Sequence, residues 1–135
     1  IDFHYRKSSF DDEQIIIDAR FKIQKCNKLQ IKKKISIISG KRKKSQPVSS
    51  RTGGSTFTNP TSYPAWKLID EINYRGKQLG GAKVSNLHSN FLINYENASS
   101  LDLEMLGEDV KNKVWEKRRI NLKWELIRIG EFKKI

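Results

Sequence analysis

The chain has 135 residues, which suits about one domain and allows a substantial buried core. It carries 27 lysine and arginine residues against 15 aspartate and glutamate residues, and this excess favours an anionic partner such as a phosphorylated small molecule, a nucleic acid or a membrane surface. No apolar run approaches the roughly 20 residues of a membrane span, so a membrane-spanning chain is excluded and a soluble one is expected.

Two periodic patterns succeed one another in the first forty residues. Apolar side chains alternate with polar ones from Ile15 to Ile23, which predicts a half-buried strand over residues 14–24. Leucine and isoleucine then recur at helical spacing under a lysine-covered face and predict a helix over residues 27–39. Gly40 is expected to end this helix, because glycine commonly follows the last helical residue.

Residues 41–62 are predicted to lack regular structure, because their apolar side chains are few and show no periodicity. We expect a domain boundary near Pro47. Further on, paired glycines allow positive φ and close approach of the backbone to a ligand, and hydrogen-bonding side chains follow at once. These residues are Gly53, Gly54, Ser55, Thr56 and Asn59. On residue types alone, a surface turn is the simpler interpretation.

The sequence after residue 62 predicts a compact α+β unit with its elements in the order helix, strand, strand, helix, strand. Its helices span residues 64–74 and 100–117, and its strands span residues 80–85, 90–95 and 120–129. Pro64 suits the first helical turn, and Ser99 or Ser100 can cap the second helix. In the last strand alternation places Leu122 and Trp124 on one face and Glu125 on the other.

Four short motifs occur in the order in which a known family uses them. They read YRKSS at residues 5–9, TGGSTFTNP at residues 52–60, GGAKVSNLHSNFLIN at residues 80–94 and LKWELIRIG at residues 122–130. Together they resemble the MurB family, the flavin-dependent UDP-N-acetylenolpyruvoylglucosamine reductases of peptidoglycan synthesis. The resemblance covers nearly the whole chain but only the C-terminal part of the family's architecture. Because the chain starts at Ile1 and its only methionine is Met105, we expect further sequence upstream.

The resemblance implies both a domain arrangement and a reaction. Residues 1–47 would be the end of an FAD-binding domain, a strand plus a helix, and residues 48–135 would be the substrate-binding domain. The enzyme would use NADPH to reduce bound FAD, which then passes hydride to UDP-N-acetylglucosamine enolpyruvate and gives UDP-N-acetylmuramate. FAD would be held largely by an upstream domain, so we expect the isolated chain to be inactive. The resemblance also implies a cytoplasmic monomer.

The same resemblance assigns roles to individual side chains. Arg6 would stabilise the negative charge that develops on the substrate carboxylate, with Glu125 as its hydrogen-bonding partner, and Ser55 would donate a proton to the substrate carbon. Contacts with the substrate are implied for Tyr5, Gly54 and Asn59. Contacts with the cofactor are implied for Gly53 and Thr56.

At two positions the sequence departs from the family pattern. Thr58 stands where many members have lysine, and Lys123 replaces the first glutamate of the last strand. We interpret His88, within the third motif, as a structural residue.

The sequence predicts neither a disulfide nor a metal site. Cys26 is the only cysteine, which excludes an intrachain disulfide. His4 and His88 lie too far apart for metal-ligand spacing, so no metal site is expected.

Two alternatives belong to a different class of protein. One is a substrate-domain remnant without catalysis. The other is a basic nucleic-acid-binding module, suggested by the lysine runs at residues 32–34 and 41–44. Because the apolar residues between these lysines are aliphatic rather than aromatic, a solvated helix face is the simpler interpretation of the runs, and no nucleic-acid partner is expected.

Overall fold

The computed structural model describes residues 1–11 and 13–130. Its elements, in chain order, are β1 (Phe3–His4), β2 (Lys7–Ser8), α1 (Lys28–Ser45), β3 (Thr52–Ser55), α2 (Ala65–Glu71), β4 (Gln78–Leu79), β5 (Ala82–Val84), β6 (Phe91–Asn94) and α3 (Ser100–Arg118). Helices and antiparallel strands are mixed along the chain, which confirms the predicted α+β class. None of the helices in these residues is long and apolar enough to cross a bilayer.

The centre of the fold is a four-stranded antiparallel sheet with the strand order β3-β6-β5-β4. Leu92 of β6 pairs with Val84 of β5, and both side chains are buried against α3. Ile93 pairs with Lys83, and because side chains alternate along a strand, this pair lies on the opposite face. The sheet therefore has a core face, covered by helices, and an outer face.

Helix α3 covers the core face and matches its predicted span to within one residue. Leu106, Val110 and Val114 recur every four residues, and all three are fully buried. Ser99 caps the helix: its hydroxyl accepts a hydrogen bond from the Asp102 backbone N–H at 3.1 Å, and the Asp102 carboxylate accepts one from the Ser99 N–H at 2.9 Å. This reciprocal capping box satisfies two backbone donors at the helix start.

The strand predicted over residues 14–24 is absent, which corrects that prediction. Residues 13–27 have no helical or strand structure, and Ile15 and Ile17 of the supposed inner face are 88% and 94% exposed. Alternation marks a face that could be buried, but a strand also needs a hydrogen-bonded neighbour. Within the described residues this segment pairs with no other strand.

Helix α1 continues through Gly40 to Ser45, so the prediction that Gly40 ends it is wrong. A glycine inside a helix costs only about 1 kcal/mol relative to alanine, and the lysines and arginine that follow it are good helix formers. Asn27 caps the start by accepting the Leu29 N–H at 2.8 Å. No residue of α1 is buried, so its isoleucines form no part of the core.

Two further predictions need correction. Residues 41–62 are not all irregular, because the glycine-rich residues 52–55 form β3 and pair with β6. Conversely, residues 120–129 form no strand and make only the isolated bridge between Phe57 and Trp124. Leu122 is nevertheless 1% exposed, so this C-terminal segment packs onto the core through side chains more than through backbone pairing.

Gly107 of α3 provides a test of how tightly the C-terminal segment packs. A Cβ at this position would overlap the six-membered ring of Trp124, whereas a Cβ at Gly40 of α1 would meet no atom within 4 Å. We expect Gly107→Ala to lower the free energy of unfolding by about 1–3 kcal/mol, the usual cost of overpacking. Gly40→Ala, the helical control, should leave it unchanged or raise it by less than about 1 kcal/mol. Equal unfolding curves for the two variants in urea would show that the ring is not held against α3.

Tyr74 provides a second test, at the contact between α3 and the segment after α2. Burial, together with the hydrogen bond that the hydroxyl donates to Asp109 Oδ2 at 2.9 Å, raises the pKa of Tyr74 to about 12. An unfolded tyrosine ionises near pH 10, so the folded state binds more protons between about pH 10 and 12. This contribution to stability is complete below about pH 10 and is lost as the pH rises to about 12.

Ultraviolet titration of the tyrosines should therefore contain a late ionisation. Tyr74→Phe should remove this step, and Tyr63→Phe should leave it in place. A late step that persists in Tyr74→Phe would contradict the assignment.

Candidate functional site

A β-bulge at the glycine-rich strand sets the direction of Ser55. Thr52 pairs with Ile93 and Ser55 pairs with Phe91, so three steps along β3 match only two steps along β6. The extra residue is accommodated at Gly54, whose φ of +101° is a conformation that residues with a side chain rarely adopt. Without the bulge, Ser55 would point to the core face; with it, Ser55 shares the outer face with Phe91.

Asn90 fixes the backbone immediately after the bulge. Its side-chain amide donates to the carbonyl oxygen of Phe57 at 2.8 Å, and its Oδ1 accepts the Phe57 N–H at 3.0 Å. Its backbone carbonyl accepts the Thr56 N–H at 2.8 Å. Asn90 is 4% exposed and Phe57 is 1% exposed, so these bonds satisfy backbone groups that water cannot reach. The sequence motif contained Asn90 without indicating this role; a polar side chain beside a buried apolar strand was the available signal.

The C-terminal segment lies antiparallel to residues 56–58. The Glu125 N–H donates to the Thr56 carbonyl at 2.8 Å, and the Thr58 N–H donates to the Lys123 carbonyl at 2.9 Å. Thr58 and Lys123, the two departures from the family pattern, thus meet through the backbone. This contact needs only the backbone N–H of Thr58 and the backbone carbonyl of Lys123.

Arg6 and Glu125 are brought together although they lie 119 positions apart in the sequence. Arg6 lies in the tight turn between β1 and β2 with a φ of +58°, and its Nη2 is 2.6 Å from Oε1 of Glu125. The Arg6 side chain is 54% exposed and that of Glu125 is 21% exposed. The guanidinium is therefore oriented by the carboxylate while other N–H donors stay open to solvent.

Tyr5 and Asn59 form a second contact of the N-terminal turn, in this case with the glycine-rich segment. The Asn59 N–H donates to the Tyr5 hydroxyl at 3.2 Å, and Asn59 Oδ1 accepts the Ala65 N–H at 2.9 Å at the start of α2. Both residues are exposed, so neither is committed to the core. The N-terminal turn is thus attached at two points, to the C-terminal segment through Arg6 and to the glycine-rich segment through Tyr5.

Ser55 and Glu125 lie on the same side of the sheet. The Trp124 ring points at Gly107 of α3, and successive side chains of an extended chain point to opposite sides, so Glu125 points away from α3. Ser55 also points away from α3, and it immediately precedes the residue whose carbonyl receives the Glu125 N–H.

A cavity of about 520 Å³ lies beside α3, and Gly53, one of the two residues with an implied cofactor contact, contributes to its lining. Leu103 and Glu104 of α3, Leu92 of β6 and residues 126–130 contribute to its lining, whereas Arg6, Ser55 and Glu125 do not. The predicted catalytic side chains therefore lie on the outer side of the sheet and do not line this cavity.

The two residues with an implied cofactor contact differ in accessibility. Gly53 is exposed, and at the neighbouring Gly54 a Cβ would meet no atom within 4 Å, so a ligand could approach the backbone here. Thr56 is fully buried, and its hydroxyl accepts the Leu92 N–H at 3.2 Å. A cofactor contact by Thr56 would need the side chain or the backbone groups to leave their present partners.

His88 lies inside the loop that precedes β6. Its ring stacks edge-on to Phe91 at 4.9 Å and to Trp66 at 6.4 Å between ring centroids. Burial, followed by the charge of Arg75, lowers the pKa of His88. Its Nδ1 is buried and has no hydrogen-bond partner within residues 1–11 and 13–130. Over the same residues, no cluster of three or more metal-ligating side chains occurs.

Comparisons with known proteins agree on one family. A family model described as "UDP-N-acetylenolpyruvoylglucosamine reductase, C-terminal domain" matches residues 46–129. The reductase of that name from Rickettsia prowazekii is 43% identical over 132 residues, which cover 98% of this chain and 45% of the relative. The one from Gluconobacter oxydans is 47% identical over 128 residues, 95% of this chain and 42% of the relative. The chain thus spans less than half the length of these curated relatives.

A solved structure is similar as well. The crystal structure of UDP-N-acetylenolpyruvylglucosamine reductase (MurB) from Thermus caldophilus aligns with a TM-score of 0.61 and 32% sequence identity. The alignment covers 78% of this chain and 38% of that one.

Asn90 gives a test of the site's framework that does not depend on activity. Replacement by alanine removes both hydrogen bonds to the buried backbone of Phe57, and unsatisfied buried groups cost about 1–3 kcal/mol each. We expect Asn90→Ala to lower the free energy of unfolding by about 2–4 kcal/mol, measured by urea denaturation. Asn121→Ala, at an exposed position, should stay within about 0.5 kcal/mol of the unsubstituted chain. If Asn90→Ala and Asn121→Ala have the same free energy of unfolding, the hydrogen bonds from Asn90 to Phe57 do not stabilise the glycine-rich segment.

Proposed function

We propose, from the premise that this chain belongs to the UDP-N-acetylenolpyruvoylglucosamine reductase family, that it is the C-terminal part of a flavin enzyme of peptidoglycan synthesis. The substrate is UDP-N-acetylglucosamine enolpyruvate, the product is UDP-N-acetylmuramate, and NADPH is the source of reducing equivalents. Residues 1–47 complete an FAD-binding domain and residues 48–135 form the substrate-binding domain. The enzyme works in the cytoplasm, where NADPH and UDP-sugars are available.

The observation that supports this proposal most directly is the 2.6 Å ion pair between Arg6 and Glu125. An exposed ion pair contributes little to stability, about 0–1 kcal/mol, so its value here is the orientation of two charged groups. Both lie beside the segment that carries Ser55. An arginine, a carboxylate and a serine hydroxyl on one side of a sheet are the groups that this reduction requires of the protein.

Arg6 binds and stabilises the substrate carboxylate. Reduction of the enolpyruvyl double bond places negative charge on the carbon next to that carboxylate, and the charge spreads onto the carboxylate oxygens. A guanidinium offers a planar fork of donors to these oxygens. Because Glu125 already holds one edge of the guanidinium, the group is oriented before the substrate arrives, which is the condition for effective electrostatic stabilisation.

Ser55 supplies the proton that completes the reaction. After hydride addition, the adjacent carbon carries the excess electrons and must be protonated. A serine hydroxyl is a weak acid, so it must lie in contact with that carbon and be oriented towards it. The bulge at Gly54 turns Ser55 to the outer face, which is the side on which Glu125 also lies.

FAD supplies the hydride chemistry when it is bound, and an upstream part of the enzyme holds most of it. In this chain the open space beside the backbone at Gly54 fits close approach of a flat ligand, whereas the Leu126 side chain already lies against Gly53. We therefore expect the isolated chain to bind FAD poorly and to show no reductase activity.

The reaction has two halves: NADPH reduces the flavin, and the reduced flavin is then reoxidised by the substrate. Ser55→Ala should affect only the second half. The test uses a full-length enzyme carrying this chain, or a chimera that joins it to the N-terminal part of the Rickettsia prowazekii relative. Reduction of the flavin by NADPH should continue at the unsubstituted rate, because it needs no proton from Ser55. Reoxidation of the reduced flavin by substrate should slow by about a hundredfold or more, the usual contribution of a general acid. Stopped-flow absorbance of the flavin measures both rates.

Ser62→Ala, in an exposed loop of the same chain, is the matched control and should change neither half-reaction. Glu125→Gln should slow the second half-reaction only. Equal slowing of both half-reactions by Ser55→Ala would exclude it as proton donor, and unchanged reoxidation in Glu125→Gln would remove that residue from the site.

A further inference from the structure

The position of Glu125 depends on very little backbone structure. The C-terminal segment makes one isolated bridge, between Phe57 and Trp124, which consists of two backbone hydrogen bonds to Thr56 and Thr58. Beyond Arg128 nothing regular follows within the described residues, and Ile127 and Ile129 are 87% and 94% exposed. So short a ladder cannot by itself fix the direction of a side chain, and side-chain contacts must do so.

Trp124 supplies those contacts on four sides of its indole ring. One edge lies in the space left by the missing Cβ of Gly107, and the ring packs against Phe57 with 5.1 Å between centroids. The indole N–H donates to Glu108 Oε1 at 2.7 Å. The guanidinium of Arg128 lies 5.0 Å from the ring centroid. A tryptophan held by packing, a hydrogen bond and a cation has little freedom to rotate.

Glu108 is itself held as a charged acceptor. Lys111 pairs with its carboxylate at 2.9 Å, and Arg128, which also pairs with Glu104, lies 3.4 Å away. Burial alone would raise the pKa of Glu108, but the hydrogen bonds from Lys111 and Trp124 and the nearby positive charges bring it below its usual range. The indole N–H therefore meets a full negative charge, which makes the bond stronger than one to a neutral acceptor.

We propose that Trp124, fixed by Glu108 of α3, is the positioning residue for Glu125. Neighbouring side chains of an extended segment point to opposite sides, so fixing Trp124 against α3 fixes Glu125 on the outer side. There its Oε1 lies 2.6 Å from Nη2 of Arg6. Trp124 and Glu108 do not touch the substrate; they determine whether Glu125 meets Arg6. This inference rests on the proposed function, in which Glu125 orients Arg6.

The test is a double-mutant cycle on flavin reoxidation by substrate in the full-length enzyme. Trp124→Phe keeps an aromatic ring against Phe57 and Gly107 but removes the N–H donor. We expect it to slow reoxidation by about tenfold, as for the loss of a hydrogen bond to a charged group, and to leave flavin reduction by NADPH unchanged. In the Glu125→Gln background the same substitution should cause almost no further slowing, because its effect passes through Glu125.

Two controls identify a general structural effect. Trp115→Phe, at a half-exposed tryptophan of α3, and Glu116→Gln, at an exposed glutamate paired with Lys113, should change neither half-reaction. If Trp124→Phe fails to fold, Glu108→Gln replaces it in the double-mutant cycle and leaves the indole ring in place. Glu108→Gln should slow reoxidation less than tenfold, because an amide oxygen can still accept the indole N–H.

The outcomes separate the two proposals. If Glu125→Gln slows reoxidation but Trp124→Phe slows it equally in both backgrounds, or not at all, the positioning role is overturned and the proposed function stands. If Glu125→Gln reoxidises at the unsubstituted rate, the role of Glu125 in the reaction is overturned, and positioning by Trp124 falls with it.

Discussion

The packing of Phe57 against Trp124 is the contact on which the rest of the site depends. The two ring centroids lie 5.1 Å apart, and the backbones of the two residues form a bridge between the glycine-rich segment and the C-terminal segment. Phe57 is also anchored to the sheet, because Asn90 binds its N–H and its carbonyl. This single point therefore joins strand β6, the segment that carries Ser55 and the segment that carries Glu125. Without it, a hydroxyl and a carboxylate separated by 70 positions would have no reason to share a side of the sheet.

Stability and orientation are provided by different parts of the molecule. Residues from α2, the sheet, α3 and the C-terminal segment form the buried cluster, which includes Leu68, Val84, Leu106, Val110 and Leu122. Helix α1 contributes no buried residue, and the N-terminal turn is attached through exposed contacts of Tyr5 and Arg6. Exposed contacts of this kind are individually worth about 1 kcal/mol or less, so they align the arginine with the carboxylate more than they stabilise the fold.

The predictions from sequence succeeded where a segment's own residues decide its structure. Helix α3 was predicted nearly to the residue, since it carries its own cap at Ser99 and its own apolar stripe. They failed where structure depends on a neighbour. Residues 14–24 alternate well but pair with no strand in the described chain, whereas residues 52–55 lack periodic apolar side chains and yet form β3, because β6 offers them hydrogen bonds.

For the site, the sequence alone determined the family and the residue types: a glycine-rich stretch with Ser55, an arginine in a short N-terminal motif and a glutamate in a late apolar segment. Only the tertiary structure decided that Arg6 meets Glu125, that a bulge turns Ser55 outward, that Thr56 is buried and that Trp124 is bound to Glu108. The physical reason is that local patterns encode backbone preferences over a few residues. The direction of a side chain depends on strand register and packing between segments that lie far apart in the chain.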